Sequence, residues 1–456
     1  MRQRAFELAS RNTSPIQPAQ KTKRHVIEAW TNCRDSKLIA ETLKHNSAFL
    51  LLALCLLASS TTTKAAEWPR LRGANLDGIS PETNWFKPWP KDGPAILWRA
   101  SVGTGFSSIS VSQGRLYTMG NTKDMDTVFC FDAATGALVW RHDYAEPLQP
   151  KYYEGGPGAT PTVDGGHVFT LSKRGRIFCF DAASGKVVWE KSLTEELGLN
   201  VNEWGFAGSP LVEGDALILN VGGAGTAVDK QTGKVLWSNG TKTTGYASAV
   251  AFTLDGQRTA ALFTAKDLVA VDLETGRELW RFPWETGWDN NNADPIVAGN
   301  RIFISSYDLG CALLEVRNGK PTLLYANENL RTHMSTAVKI GDHIYGVHGR
   351  EGKGRPNAFR CLDLATGKIL WETTGLGVGS VIASADSKLI ILSEAGELVI
   401  AEATPTAFRP LARAQVLGGR CWSAPGLANG KIYCRNAKGD LICVSGSGRT
   451  SSTLPP

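Results

Sequence analysis

Apolar residues along this chain come in short bursts, and turn signals separate them. One burst in each unit is built of small residues, as in Ala159-Thr160-Pro161-Thr162-Val163 and Gly208-Ser209-Pro210-Leu211-Val212. A tight pair follows it: Gln113-Gly114, Gly165-Gly166, Asp255-Gly256, Gly299-Asn300, Gly341-Asp342 or Asn429-Gly430. Such pairs reach positive φ at low cost and close hairpins. Alternating stretches such as Arg115-Leu116-Tyr117 and Arg301-Ile302-Phe303-Ile304 come next, with the period of a strand. A third strand ends at an Asp, and a fourth ends on a Trp.

The Asp-to-Trp segment recurs. It reads Phe131-Asp132-Ala133-Ala134-Thr135-Gly136 through to Trp140, and returns at Phe180–Trp189, Val228–Trp237, Val271–Trp280 and Leu362–Trp371. Asp132, Asp181, Asp229, Asp272 and Asp363 each precede their Trp by eight residues, with Gly136, Gly185, Gly233, Gly276 and Gly367 four after the Asp. The Asp-to-Asp steps are 49, 48, 43 and 91 residues, the last being two periods. Within each turn the Asp and Thr side chains bond nearby backbone, and Gly takes the strained corner.

Worn copies fill the gaps. Glu315–Gly319 keeps the turn but not the Trp, and Ala401-Glu402-Ala403 keeps neither Gly nor Trp. Asp440–Val444 is a third strand with no fourth behind it, and Ala95–Arg99 is a fourth strand with no third before it. Pairing the two completes a last unit. The fold predicted is all-β: an eight-bladed β-propeller closed by its N- and C-terminal strands. A linear solenoid of similar period leaves the split blade unexplained. The expected organisation is an N-terminal extension over 1–43, a signal segment over 44–66, an arm over 67–92, the propeller over 93–445 and a disordered tail over 446–456.

Composition changes this picture little. The 48 Gly and 14 Trp suit many turns and a repeated Trp plug. The net charge of +6 resides in residues 1–66, and the remainder holds 39 residues of each sign. No basic stripe is left for nucleic acid, and Arg350–Arg355 reads as a solvated loop. Ala48–Ala58 is an apolar run of 11 residues behind Lys44 and His45. It is too short to span a bilayer, which takes about 20 residues, and fits the apolar part of an export signal cleaved after Ala65 or Ala66. Leu54 before Cys55 argues against a lipoprotein. Beyond the signal stand seven cysteines. Cys130, Cys179, Cys361 and Cys443 share one repeat position, which reads as small core and not as bridges. The odd number leaves at least one free thiol.

The Asp-x-x-Thr-Gly-x-x-x-Trp phrase resembles the Trp-docking motif of the pyrroloquinoline quinone (PQQ)-like repeat family, across essentially all of residues 67–445. The resemblance implies that Trp98, Trp140, Trp189, Trp237, Trp280 and Trp371 pack between blades, each against the backbone of the next motif. The slots at Leu323 and Pro410 depart from the pattern, and looser seams are expected there. Trp68-Pro69-Arg70-Leu71-Arg72-Gly73 looks like the arm that precedes the ring in secreted members. The family holds quinoprotein alcohol dehydrogenases, including polyvinyl-alcohol-dehydrogenase-like enzymes, which bind PQQ and usually Ca²⁺. It also holds the cofactor-free scaffold lipoprotein of the outer-membrane β-barrel assembly machine. Fold does not choose between them.

A propeller's ligand sits at its axis, where loops lead into the first strands. There the sequence places Glu154, Trp204, Tyr246, Trp288, Asp289, Asp294, Arg331, His333, Arg420 and Trp422. Aromatic faces would stack a flat ligand. Arg331 and Arg420 would pair with carboxylates of PQQ or of an acidic peptide. Glu154, Asp289 and Asp294 are the candidate Ca²⁺ ligands, and Asp289 or Asp294 the candidate catalytic base. Against the enzyme stand the lack of adjacent cysteines and of long inserts. Asp289–Asp294 also lacks the Gly of an EF-hand loop. His343 and His348 have no third metal-binding partner, Gly352-Lys353-Gly354 is not a phosphate loop, and no Gly-x-Ser-x-Gly occurs. The function expected is binding, as a monomeric exported scaffold for envelope proteins or as a receptor for a small ligand. A PQQ-dependent alcohol dehydrogenase is the alternative. A carbohydrate or polymer binder, stacking on Trp204, Tyr246, Trp288 and Trp422, is a second.

Overall fold

The computed structural model describes residues 66–350 and 357–447. The N-terminal extension, the signal segment before Ala66, most of the Arg350–Arg355 loop and the tail after 447 lie outside the described residues. The rest forms eight four-stranded antiparallel sheets, one of them carrying a short fifth strand. Blade 1 runs from Ser110 to Ala145, blade 2 from Thr162 to Ser192, blade 3 from Leu211 to Ser238 and blade 4 from Val250 to Pro283. Blade 5 runs from Ile296 to Asn327, blade 6 from Val338 to Thr373 and blade 7 from Ser380 to Gln415. Blade 8 joins Gly426–Ala428, Lys431–Arg435 and Asp440–Ser445 to Ile96–Ser101. Trp98 lies opposite Cys443 in that last pairing, so the expected closure is what holds the ring. No sheet edge is left open where the termini meet.

The core lies between blades. Each large apolar cluster spans a seam, such as Tyr117, Met119 and Trp140 of blade 1 against Val168, Phe178 and Phe180 of blade 2. The docking tryptophans set these seams. Trp98 Nε1 donates to Ala133 O at 3.2 Å, Trp140 to Ala182 O at 3.0 Å, Trp189 to Lys230 O at 3.0 Å and Trp237 to Leu273 O at 3.2 Å. Each indole reaches the turn of the following blade. There the motif Gly is needed twice over. Gly136 has φ +75°, and a Cβ on it would stand 2.6 Å from the Trp98 ring. The motif Asp closes the turn: Asp132 Oδ1 accepts from Thr135 N and Thr135 Oγ1, both at 2.8 Å. These bonds hold its carboxyl below the usual range.

Two seams differ from expectation. In blade 5 the docking slot is Tyr325, not Leu323. The hairpin is two residues longer, so Tyr325 pairs with Leu313 just before the bulge, as Trp140 pairs with Cys130. Tyr325 Oη donates to Leu364 O at 2.9 Å, and the ring covers Gly367. In blade 7 the slot is Ala412, not Pro410, which sits at the bulge. No ring leaves blade 7 for blade 8. Trp85 of the arm fills that place instead, packed on Gly446, while Lys87 N donates to Gly446 O at 3.2 Å. All seven cysteines after Ala66 are buried and unbridged. Cys130, Cys179, Cys361 and Cys443 each lie opposite a docking Trp, where a small residue makes room for the indole.

A polar knot interrupts the seam between blades 1 and 2. Asp126 accepts from Asn121 Nδ2 at 2.7 Å and from Tyr144 Oη at 3.4 Å, with Glu146 and Lys173 buried beside it. Burial pushes the Asp126 carboxyl up to about 7, and the Glu146 charge adds to this. Asp126 therefore binds a proton in the folded chain at pH values where the unfolded chain has released it. This contribution to stability grows as pH falls from 8 to 5 and is lost as pH rises through 7. Asp126→Asn should remove that part of the slope. Melting temperatures of both proteins between pH 5 and 8 test this, and parallel profiles would refute it.

Candidate functional site

The first strands of the blades surround the axis, and a hydrogen-bonded belt ties their approaches together. Ser108 N donates to Thr160 Oγ1 (2.9 Å), Thr160 N to Ser209 Oγ (2.9 Å) and Ser209 N to Ser248 Oγ (3.0 Å). Ser248 N donates to Asp294 Oδ1 (2.7 Å), and Asp294 N to Thr336 Oγ1 (2.9 Å). Asp294 thus stands where other blades carry Ser or Thr. Burial pushes its carboxyl up, and the charge of Arg72 draws it back.

The arm crosses the axis beneath this belt. Trp68 bridges to Val111 of blade 1, and Pro69 O accepts from Val163 N of blade 2 at 2.8 Å. Arg70 Nη1 donates to Val212 O of blade 3 at 3.4 Å, and Arg72 Nη1 to Ala337 O beside blade 6 at 3.0 Å. Ile79–Ser80 then pairs in parallel with Ala383–Ser384 of blade 7. Leu71 and Arg72 floor a funnel of about 680 Å³, within the range of roughly 300–1,000 Å³ typical of small-molecule sites.

Aromatic side chains make most of its wall, in two groups. Phe106 stacks on Trp422 at 5.2 Å and meets Tyr153 edge-on at 5.4 Å. Trp204 packs on Tyr246 at 5.9 Å and on Trp288 at 6.5 Å. Tyr307 and His333, 5.7 Å apart, stand between blades 5 and 6. Tyr152 and Trp288 are the most exposed large apolar side chains among the described residues, at 85% and 72%, and both line this funnel.

Of the residues expected at the site, Trp204, Tyr246, Trp288, Asp294, His333 and Trp422 line the funnel. Glu154, Asp289, Arg331 and Arg420 do not. Glu154 and Arg420 pair with each other, Oε2 to Nη1 at 2.6 Å, with the guanidinium 4.4 Å above Trp422. Arg331 pairs with Glu328 at 2.7 Å and lies 5.9 Å from the centre of the Tyr307 ring. The carboxylates Glu154, Asp289 and Asp294 are not brought together. Among the described residues no group of three or more His, Cys, Asp and Glu could hold a metal ion. His348, the neighbour of this region, accepts from Arg331 N at 3.2 Å, and burial and Arg360 pull its imidazole down to about 4, so it is neutral. These residues do not fit a Ca²⁺-bound PQQ. The arginines offered to its carboxylates have protein partners, and the carboxylates offered to the metal are apart. The residues missed by sequence reading are Arg72, Tyr152 and Tyr307. Arg72 lies outside the repeat, so no period locates it.

Comparison with known proteins follows this architecture. The family model described as "Outer membrane protein assembly factor BamB" matches residues 90–156 and 124–373. No curated protein matches by sequence. Among solved structures, BamB from Moraxella catarrhalis superposes with a TM-score of 0.58 at 15% identity, covering 77% of this chain and 99% of that one. Quinohemoprotein alcohol dehydrogenase from Comamonas testosteroni gives 0.62 at 15% identity, covering 86% and 82%. The computationally designed Ika8 protein gives 0.53 at 12% identity, covering 77% and 100%. At these identities the likeness is one of fold.

Proposed function

We propose, for a chain that belongs to the family of the outer membrane protein assembly factor BamB, that it is a binding protein of the cell envelope whose ligand enters the axial funnel. One observation carries this reading. Asp294, Glu154, Arg331 and Arg420 are bonded to protein partners, while the rings of Tyr152 and Trp288 stand open. Asp294 serves the belt, Glu154 holds Arg420 and Glu328 holds Arg331. A general base must reach the proton that it abstracts, and a carboxylate bonded into the blade framework is poorly placed to do so. Export is supported by the apolar run at Ala48–Ala58. Among the described residues no helix is long and apolar enough to cross a membrane. Neighbouring envelope proteins are the natural partners for the outer faces of the ring.

The test is dye-linked alcohol oxidation by the purified protein after addition of PQQ and Ca²⁺, with PQQ binding followed by absorbance. No turnover and no tight binding are expected. Turnover that Asp294→Asn abolishes while the melting temperature holds would replace this reading with the quinoprotein dehydrogenase.

A further inference from the structure

The chemistry of the funnel narrows its ligand. Among the described residues its charged lining side chains are Arg72, Asp294, Asp308 and Arg350, whose formal charges cancel. A polyanion or a simple cation gains little from such a site. Trp204 meets Tyr246 at 5.9 Å and Trp288 at 6.5 Å, so the three rings form one continuous wall. A wall of this kind suits a ligand with a flat apolar face of its own.

The polar atoms of the funnel say what the rest of that ligand carries. Arg72 is 5% exposed, and its Nε and Nη1 are taken by Leu76 O and Ala337 O, but Nη2 makes no hydrogen bond. Asp294 beside it accepts from Ser248 and, as a carboxylate, has further lone pairs to offer. Tyr246 Oη lies against Asn202 and the Trp204 backbone in a loose hydrogen-bonding arrangement. Trp204 Nε1 and Asn292 Oδ1 are also buried without a bond. Donors and acceptors are therefore both present along an apolar wall. Leaving such groups unmade costs stability, and hydroxyl groups, which donate and accept, satisfy both kinds.

Two further features point the same way. Trp288 and Tyr152 both hold left-handed backbone, at φ +62° and +66°, a conformation costly for bulky side chains and concentrated at ligand clamps. Both present their rings at the funnel lip.

We infer that the funnel binds a neutral oligosaccharide, with sugar faces on Trp288 and the Trp204–Tyr246 wall and ring hydroxyls bridging Arg72 and Asp294 at the floor. This rests on the binding reading above and gives it a ligand class. The experiment titrates the protein with the hexasaccharides of β-1,4-glucose, β-1,4-xylose and β-1,4-mannose, following tryptophan fluorescence and heat. The hexasaccharide of α-1,4-galacturonic acid is the charged control. At least one neutral hexasaccharide should saturate the site, and the galacturonate should not. Trp288→Ala should weaken binding by about tenfold or more, with Trp288→Phe in between and the melting temperature unchanged. The inference is overturned if no neutral hexasaccharide binds, if the galacturonate binds best, or if Trp288→Ala binds as the parent does. Failure here without PQQ-linked turnover removes only the ligand class. Failure with such turnover removes the binding reading too.

Discussion

Arg435→Met is expected to lower the unfolding free energy by about 3–5 kcal/mol. Arg435 sits in blade 8, fully buried, and faces no carboxylate. Its Nη1 donates to Ser107 O at 3.1 Å and Met119 O at 2.5 Å, and its Nη2 to Gly103 O at 3.1 Å and Gly105 O at 2.9 Å. Burial pulls the guanidinium down to about 9, which leaves it charged at neutral pH. Those carbonyls belong to blade 1 and to the linker that leads into it from the closing strand. Without the guanidinium these buried acceptors lose their donor, Ser107 O keeping only a long bond from Thr118 Oγ1, at roughly 1–3 kcal/mol for each left unpaired, partly offset by relief of the buried charge. Arg435→Lys should recover little, since one ammonium cannot span so wide a set of carbonyls. Urea unfolding measures both. A loss below about 1 kcal/mol for the methionine variant would mean that water replaces the guanidinium freely.

Trp140→Ala should cost about 3–5 kcal/mol through the cavity that it leaves at the seam of blades 1 and 2. The indole is 8% exposed and packs on Tyr117 and Phe180. It also covers Gly185, where a Cβ would stand 2.5 Å from the ring. Trp280→Ala is the internal comparison. Trp280 is as buried, but its Nε1 has no acceptor. Its loss should be smaller by about 1 kcal/mol, the worth of one hydrogen bond. Equal losses from the two variants would show that the Ala182 carbonyl contributes nothing to docking.

What could be read from the sequence follows from what a period can carry. Five equal copies of one turn fix the blades, and an unmatched strand at each end fixes the closure. The same period says which loops lead to the axis, so Trp204, Tyr246, Trp288, His333 and Trp422 could be placed at the funnel. It fails where a turn changes length. Two added residues moved the docking slots from Leu323 to Tyr325 and from Pro410 to Ala412. It fails again where the arm takes part, since Trp85 and Arg72 belong to no repeat. Asp294 is a different case. Its alignment with Thr160, Ser209 and Ser248 was available in the repeat, and the belt would have suggested itself had hydroxyl and carboxylate been read as one acceptor position. The Glu154–Arg420 pair joins residues 266 apart, and no local pattern encodes it.

The split blade has a kinetic consequence. Seven blades can each pair from local chain, hairpin by hairpin. The eighth needs residues near both ends, with contacts such as Arg435 to Gly105 spanning 330 positions. Loop-closure entropy grows only slowly with such a span, but it must be met before the contact returns anything. Ring closure is therefore the natural late step of folding, and until it happens blades 1 and 7 both present bare flanks. The arm, which precedes every blade in the chain, gains its bonds to blades 1, 2, 3, 6 and 7 only once those blades stand in a circle. The segment that floors the funnel is thus synthesised before the blades that it joins and is the last to find its place.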